Sequence, residues 1–287
     1  MLALRVEPIT GPDLPRVAAF LHHHLNQRLS AETWARSITP PWPVDAPNHG
    51  FMLTEQSTVV GAYVAFYAEQ PVDGRPERFC NLGPWCVLPA YRFHGVRLLK
   101  AMLAQPGYHF TDLSPSGSVV VINERLGFTR LDTATALVPH LPWPSLPRRD
   151  TGISTDPAVI ERTLTGQQLA LYRDHRTAAA AHHLLLRRGD AHCYVVFRRD
   201  RRRGLPVFVS FLHVSDPELF GAMARRLARH LLFRHGALAS LAELRVVGRR
   251  PRPSLLLAAN RRKMFHSQRL RPDQVSYLYS ELTCLAW

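Results

Sequence analysis

Several features that would place a protein in a familiar class are missing from this sequence of 287 residues. Its four cysteines form no C-x-x-C pair, so neither a zinc site of that kind nor a thiol redox motif is indicated. No run of about 18 apolar residues is present, and no basic segment followed by an apolar run opens the chain. The consecutive His22, His23 and His24 lie on a predicted helix, where neighbouring side chains point about 100° apart and cannot meet one ion. We therefore expect a cytoplasmic protein with reduced thiols and no bound metal.

Lysine is also nearly absent, because Lys100 and Lys263 are the only two, and arginine supplies most of the positive charge behind the formal net charge of +14. A surplus of this kind can indicate a nucleic-acid partner. The arginines are spread along the chain, however, and the densest run, residues 198–204, lies between two strand-like stretches, where we expect a solvated hairpin turn. A nucleotide-bearing small molecule accounts for the charge as well as a nucleic acid does, and a nucleic-acid binder is the weaker hypothesis.

What the sequence does contain is a mixed pattern of helices and strands in its first half. Apolar spacing and capping residues predict helices that begin at Asp13 and Ser30, and a third that follows Gly95. Alternating and apolar stretches predict the strands. These cover residues 2–8, 50–55, 58–67, 79–88, 108–113, 118–122 and 134–138.

The second half shows the same order of elements, which indicates an internal duplication. Helices are predicted over 159–172 and 178–186 and from Ser215 onwards, and strands over 193–198, 206–214, 244–247 and 275–284. The fold class is therefore α/β (α+β), with two tandem domains that each contain a mixed, largely antiparallel sheet flanked by helices. A proline-rich stretch predicts the division: residues 1–140, a linker at 141–152, and residues 153–287.

The most informative stretch is residues 86–99, where a strand end leads through a basic turn with one glycine into an amphipathic helix. Such a turn exposes the unpaired N–H groups of the helix start, which together with the helix dipole favour a phosphate or pyrophosphate. Arg92, His94 and Arg97 add positive charge around it. Leu-Gly-Phe at residues 126–128 is a second signal.

These residues resemble the acyl-CoA-binding motif of the GCN5-related N-acetyltransferases, the GNAT superfamily. That motif follows a strand with Val-x-Pro-x-Tyr-Arg and a glycine loop that leads into a helix, and Leu-Gly-Phe closes the family's second motif. The residues that fit the first motif are Val87, Pro89, Tyr91, Arg92 and Gly95. The resemblance covers residues 2–140, whereas the second half is similar only in the order of its elements, as a degenerate GNAT-like domain would be.

The resemblance implies that an acyl-CoA, acetyl-CoA in the first place, lies between two splayed parallel strands. It would donate its acyl group to an amine or hydroxyl of a small-molecule acceptor. Backbone groups of Val87 and Leu88 would hold the pantetheine and polarise the acyl carbonyl. The residues around the pyrophosphate would be Arg92, Phe93, His94, Gly95, Val96 and Arg97. The second domain would shape the acceptor pocket or hold the first domain rigid.

Three features of the sequence depart from the family's pattern. Arg97 replaces a small residue at the end of the loop, and the predicted strand 79–88 carries no carboxylate to act as a base. Asn123 stands where a tyrosine commonly protonates the leaving thiolate, and an asparagine can hydrogen-bond a thiolate but cannot protonate it. A catalytically silent GNAT-like protein, which binds a ligand or serves as a scaffold, is therefore the alternative.

Asn123 and Cys86 are the candidates for catalysis. Cys86 ends the strand beside the expected thioester, where it is either a nucleophile or a buried core thiol. Tyr277, Tyr279 or Glu281 on the last predicted strand would supply an acid or base if they faced the cleft of the first half. Packing inside the protein is the alternative for these three.

Overall fold

A computed structural model gives the structure for residues 4–142, 150–202, 205–258 and 261–286. Most of the predicted linker, residues 141–152, lies outside these described residues. The strands are β1 (Arg5–Pro8), β2 (Gly50–Glu55), β3 (Thr58–Val72), β4 (Arg75–Val87), β5 (His109–Asp112), β6 (Thr129–Arg130), β7 (Thr135–Pro139), β8 (Thr151–Ser154), β9 (His182–Arg188), β10 (Ala191–Arg202), β11 (Leu205–Val214), β12 (Ala239–Glu243), β13 (Leu255–Leu256) and β14 (Met264–His266). The α-helices are α1 (Leu14–His24), α2 (Ala31–Ser37), α3 (Gly95–Leu103), α4 (Gly117–Arg125), α5 (Pro157–Thr163), α6 (Gly166–His175), α7 (Pro217–Ala222), α8 (Ala224–His235), α9 (Leu244–Val247) and α10 (Glu281–Cys284). Short 3₁₀ helices cover Gly11–Asp13, Pro89–His94 and Pro272–Gln274.

The strands form two sheets of seven that match position by position. The first sheet has the order β1-β2-β3-β4-β5-β14-β6, and the second, read in the corresponding direction, has the order β8-β9-β10-β11-β12-β7-β13. In each sheet only the fourth and fifth strands pair in parallel, β4 with β5 and β11 with β12. The predicted fold class, two tandem mixed and largely antiparallel sheets with helices, is confirmed.

Each half gives its last strand to the sheet of the other half. Strand β7 pairs with β12 and β13 in the second sheet, and β14 pairs with β5 and β6 in the first. His140, just after β7, is buried there. One of its ring nitrogens, Nδ1, lies 2.8 Å from the carbonyl oxygen of Ala237, and the other, Nε2, lies 2.6 Å from Ser240 Oγ. Neither sheet is complete without the other half. The division at residues 141–152 stays a prediction.

The core has three parts. Helices α3 and α4 cover the outer face of the first sheet, and α7 and α8 cover the outer face of the second. The inner faces of both sheets share one cluster with α1, α2, α5 and α6, which also contains apolar residues of the C-terminal stretch 275–285. Burial of these apolar faces is the main force that holds the two halves together.

Capping residues begin the helices where the sequence predicts. Ser30 Oγ accepts a hydrogen bond from the N–H of Thr33 at 3.2 Å at the start of α2. Asp216 Oδ1 accepts from the N–H groups of Glu218 and Leu219 at the start of α7. The single helix predicted from Ser215 onwards is interrupted at Met223, so that α7 and α8 follow one another.

Four predicted elements are wrong. Residues 118–122 belong to helix α4, although their β-branched side chains favour a strand, because Val120 packs under α3 and the first sheet. The alanine-rich stretch 178–186 leads into strand β9, whose consecutive buried leucines lie between two covered faces of the sheet. Residues 244–247 form helix α9, and the stretch 275–284 ends in helix α10 rather than forming a strand.

Candidate active site

The candidate site lies where β4 and β5 separate. The two strands pair in parallel only from Phe79 and His109 to Asn81 and Thr111, after which β5 ends at Asp112 and β4 continues. Among the described strands, none pairs with the rest of β4 on that side. The result is a V-shaped gap beside the last residues of β4.

The sequence of β4 explains the separation. Gly83 and Pro84 together stand opposite Val64 alone, because Leu82 pairs with Ala65 and the register shifts by one residue before Trp85. Such a bulge bends the strand and increases its twist.

The two residues of the bulge suit that bend. A Cβ atom on Gly83 would lie 2.7 Å from Phe66 Cε2, so only glycine fits there. Pro84 has no N–H to offer to a neighbouring strand.

A buried polar cluster closes the narrow end of the gap. Asn81 Nδ2 donates to Thr111 Oγ1 at 3.0 Å, and its Oδ1 accepts from the backbone N–H of Glu281 at 2.9 Å. Ser114 Oγ donates to Glu281 Oε1 at 2.8 Å. Ser114 is exposed whereas Glu281 is buried, so the serine links the cluster to solvent. Glu281 therefore does face the cleft of the first half, as the sequence analysis allowed. It lies on helix α10, however, and not on the predicted strand.

Asn123 belongs to the same end of the gap. It is fully buried on α4, and its Nδ2 donates to Asp112 Oδ2 at 2.8 Å. Asp112 is a residue that the sequence analysis missed. Its only signal in the sequence was an acidic residue near the end of a short predicted strand.

The two carboxyl groups of this cluster titrate close to neutral pH. Burial raises the pKa of Asp112 to about 7, and the nearby Glu281 contributes to the rise. Burial likewise raises the pKa of Glu281 to about 7. Because each disfavours ionisation of the other, they titrate as a pair, and one can hold a proton while the other is ionised.

Three buried polar atoms lie at or near this gap without a hydrogen-bond partner among the described residues. They are Glu281 Oε2, Asn123 Oδ1 and Trp85 Nε1. Trp85 lies on β4 just beyond the bulge, and its ring stacks on Tyr63 with centroids 4.5 Å apart and planes 6° apart. An unpaired buried polar atom is costly, so these three fit a site that takes up a polar ligand.

Arg198, in the second half, holds the helix that carries Glu281. Its Nη1 donates to the carbonyl of Leu282 at 3.1 Å and its Nη2 to that of Leu285 at 3.4 Å. Its Nε lies 3.3 Å from Asp200 Oδ1, and both side chains are buried. The expectation that residues 198–204 form a solvated turn is therefore wrong for Arg198.

The basic turn after β4 differs from the loop that its sequence predicts. Residues Pro89–His94 form a 3₁₀ helix that runs directly into α3. The N–H of Tyr91 donates to the carbonyl of Leu88 at 2.9 Å, and the N–H of Gly95 donates to that of Arg92. The N–H groups of Tyr91 and Gly95 are therefore used within the helix itself and are not left unpaired, as the predicted cradle would require.

The side chains of this turn still present positive charge to solvent. Arg92, His94 and Arg97 are exposed, and Arg97 extends outwards towards the carbonyl of Leu4. Phe93 is 96% exposed between them.

The remaining predicted residues line the inner side of the turn. Gly95 is buried, with Trp85 Cζ2 3.4 Å from where its Cβ would lie. Val87, Leu88 and Val96 are half-buried. The predicted cofactor residues are thus neighbours at the open end of the gap.

The environment of Cys86 does not favour a nucleophile. Its thiol is half-buried, and burial raises its pKa, which keeps the sulfur protonated. All four cysteines are free. Within residues 4–142, 150–202, 205–258 and 261–286, no three His, Cys, Asp or Glu side chains form a group that could hold a metal. No helix in these ranges is long and apolar enough to span a bilayer.

Neither a protein-family model nor a curated protein sequence matches this chain. Solved structures do match it. A GCN5-related N-acetyltransferase from Anabaena variabilis ATCC 29413 aligns at 12% identity over 92% of this chain and 72% of that chain, with a TM-score of 0.59. A probable N-acyltransferase from Enterococcus faecalis V583 aligns at 13% over 92% and 72%, with a TM-score of 0.60. The chain has a tandem GNAT fold. A putative acetyltransferase from Pyrococcus horikoshii has the same fold along nearly its whole length, with 96% of this chain and 93% of that one aligned at 13% identity and a TM-score of 0.54.

Proposed function

We propose that this GNAT-fold chain transfers an acyl group from an acyl-CoA, acetyl-CoA in the first place, to an amine or hydroxyl of a small-molecule acceptor. The observation that carries the proposal is the gap between β4 and β5, closed at its narrow end by two buried carboxyl groups with raised pKa values. A gap with proton-handling groups at its base is suited to acyl transfer rather than to a passive scaffold.

The open end of the gap fits an acyl-CoA. Beyond Asn81, the edge of β4 is free to hydrogen-bond the amides of a pantetheine arm, with Val87 and Leu88 at its end. The exposed Arg92 and Arg97 would meet the phosphates through side chains rather than through backbone N–H groups. A Saccharomyces cerevisiae N-myristoyltransferase solved with bound myristoyl-CoA aligns with 96% of this chain at 10% identity and a TM-score of 0.50, which supports an acyl-CoA as the donor.

The carboxyl pair supplies the proton transfers. The acceptor nitrogen or oxygen attacks the thioester carbonyl, its proton passes to the ionised Glu281, and the carbon–sulfur bond breaks. The protonated Asp112 gives its proton to the leaving thiolate, with Asn123 holding the carboxyl group in place. Exchange with solvent through the exposed Ser114 returns the pair to its starting state.

The second half would hold this machinery in place. Arg198 binds the carbonyls that follow Glu281, so the second sheet fixes α10 at the gap in the first. We retain the division into an acyl-CoA-binding domain of residues 1–140 and a degenerate domain of residues 153–287, with one strand of each exchanged.

A catalytically silent ligand-binding protein is the second candidate. Two observations favour it: the 3₁₀ helix occupies the N–H groups that GNAT enzymes offer to the pyrophosphate, and Glu281 is almost completely buried. The two candidates differ in turnover and not in binding.

Calorimetric titration with acetyl-CoA and with longer acyl-CoAs tests the proposal. A tryptophan at residue 95 would push into Trp85 and Val87 and obstruct the gap, so Gly95→Trp should abolish binding. Gly11→Trp is the matched control, because no atom lies within 4 Å of a Cβ at that position. Binding that only Gly95→Trp removes, with release of CoA thiol in the presence of amine acceptors, supports the enzyme. Absence of binding to every acyl-CoA overturns it.

A further inference from the structure

A second cleft, of about 520 Å³, lies in the second half of the molecule. One wall is the junction of α7 and α8, and the other is the segment that follows α9. It is on the outer side of the second sheet, remote from the carboxyl pair, and the proposed acyl transfer does not use it.

Four arginines line this cleft: Arg225, Arg249, Arg250 and Arg252. No Asp or Glu is among its lining residues in the described part of the chain. Arg249, Arg250 and Arg252 form no ion pair with any described residue. Like charges so close together repel one another, and an anion between them removes that repulsion.

Two of the guanidinium groups are positioned by their surroundings. Arg249 Nη2 lies only 2.6 Å from where a Cβ on Gly221 would be, so the missing side chain of Gly221 makes the space that this guanidinium fills. Arg250 Nη2 donates to the carbonyl of Ser254 at 2.7 Å, and its Nε donates to Ser254 Oγ at 3.1 Å. Both guanidinium groups are therefore held at the cleft, although both residues are exposed to solvent.

The position of the cleft in the duplicated fold is also informative. Helices α7 and α8 follow β11, just as the 3₁₀ helix Pro89–His94 and α3 follow β4, and β11 and β4 occupy the same place in their sheets. The arginine cleft thus occupies, in the second half, the position that the exposed Arg92 and Arg97 occupy in the first.

We propose that this cleft binds an anion that carries two or more phosphate groups. Guanidinium groups pair with phosphate oxygens through two parallel hydrogen bonds, and several of them facing one cavity match a diphosphate better than a single carboxylate. The volume accommodates a nucleotide. The diphosphate can come from a free nucleoside diphosphate or from the nucleotide end of a coenzyme. The proposal is independent of the acyl transfer.

Calorimetry with inorganic pyrophosphate, ADP and CoA at low salt tests it. The protein carries Arg92→Gln and Arg97→Gln throughout, so that the first half does not contribute. Adding Arg249→Gln and Arg252→Gln should weaken pyrophosphate binding at least tenfold. Arg187→Gln with Arg188→Gln is the matched control, because it removes the same charge from exposed residues of β9 and should change affinity less than twofold.

Each outcome is decisive. Loss of pyrophosphate binding only in the Arg249/Arg252 variant supports the site, and the tighter of ADP and CoA then identifies the source of the diphosphate. Absence of pyrophosphate binding to the starting protein overturns the proposal. An equal loss in both pairs of variants also overturns it, since binding would then follow net charge alone. Thermal unfolding of each variant shows that the fold is retained.

Discussion

The two halves of the molecule have the same sheet topology, but the acidic residue at the end of the fifth strand has a different partner in each half. In each half the parallel fifth strand ends in an acidic residue, Asp112 on β5 and Glu243 on β12. Asp112 receives a hydrogen bond from the neutral amide of Asn123, whereas Glu243 Oε1 lies 2.6 Å from the ammonium of the buried Lys263. A carboxyl group beside a neutral partner stays free to exchange protons near pH 7. One beside a lysine is held as an ion pair.

The gap beside this carboxylate also differs between the halves. Strand β11 carries a bulge at Leu212 that corresponds to the one in β4. Tyr277 occupies that side of the second half: its hydroxyl donates to Glu243 at 2.5 Å, and the Lys263 ammonium lies 3.3 Å from its ring centroid. The first gap instead meets solvent at Ser114. The same architecture is therefore open to solvent in one half and filled by a tyrosine in the other.

The largest effect should come from breaking the link between the halves at Arg198. Arg198→Met leaves the buried Asp200 paired only with the exposed Arg261 and the Ser210 hydroxyl among the described residues, and it frees two carbonyls of the C-terminal segment. We expect the free energy of unfolding to fall by about 3 kcal/mol, the lower end of the range for a broken buried ion pair, measured by urea denaturation. Arg201→Gln, an exposed position on the same strand, should change it by less than about 0.5 kcal/mol. An equal change in both variants would contradict the role of Arg198.

Isosteric substitutions of Glu281 and Glu243 distinguish the proposed role in catalysis at the first gap from a structural role in the second half. Glu281→Gln should lower kcat about 100-fold, the lower end of what a general base contributes. In the unmodified protein, kcat/KM should rise with pH up to about 7, as Glu281 loses its proton. Glu243→Gln should leave kcat within about twofold but reduce stability, because Lys263 then lacks its partner. Full activity of Glu281→Gln would remove Glu281 from the mechanism.

The stability of the protein should depend on pH through Asp112. Its carboxyl keeps a proton up to about pH 7 when folded but loses it near 3.8 when unfolded. Its contribution is therefore present at low pH and is lost as the pH rises towards 7. Asp112→Asn lacks this titration, so its stability relative to the unmodified protein should increase by roughly 2–3 kcal/mol from about pH 5 to pH 8.

The exposed Asp273 provides the control for that measurement. A hydrogen bond from Arg271 lowers the pKa of Asp273, so this group is ionised throughout the same pH range in both states. Asp273→Asn should show a stability difference that does not change between these pH values. A pH-independent difference for Asp112→Asn as well would show that its proton is not retained in the folded protein.

The smallest effect is expected at Cys86. Because burial raises the pKa of its thiol, Cys86→Ala should leave kcat within about twofold in an assay of CoA release. A loss of more than tenfold would instead make Cys86 a nucleophile and would assign the first half a covalent mechanism.

Much of the fold could be predicted from the sequence, because apolar periodicity and capping residues report local structure. The duplication and the turn that leads into α3 follow from such patterns, whereas Asn123 was singled out by the resemblance to the GNAT motif. Arg198 and Glu281 could not be placed in this way. Arg198 binds a carbonyl 84 residues away, and Asn81 meets Glu281 across 200 residues. Periodicity tells which face of a strand is buried, and not which distant segment covers it.

The exchanged strands have a consequence for synthesis on the ribosome. The first sheet needs β14 beside β5, but β5 ends at residue 112 and β14 begins at residue 264. Because synthesis proceeds from the N-terminus, the edge of β5 has no strand partner on that side until residue 266 has been made. An open strand edge readily pairs with other chains. Nascent chains that stop before β14 are therefore prone to aggregate, and folding of the first sheet depends on synthesis through residue 266.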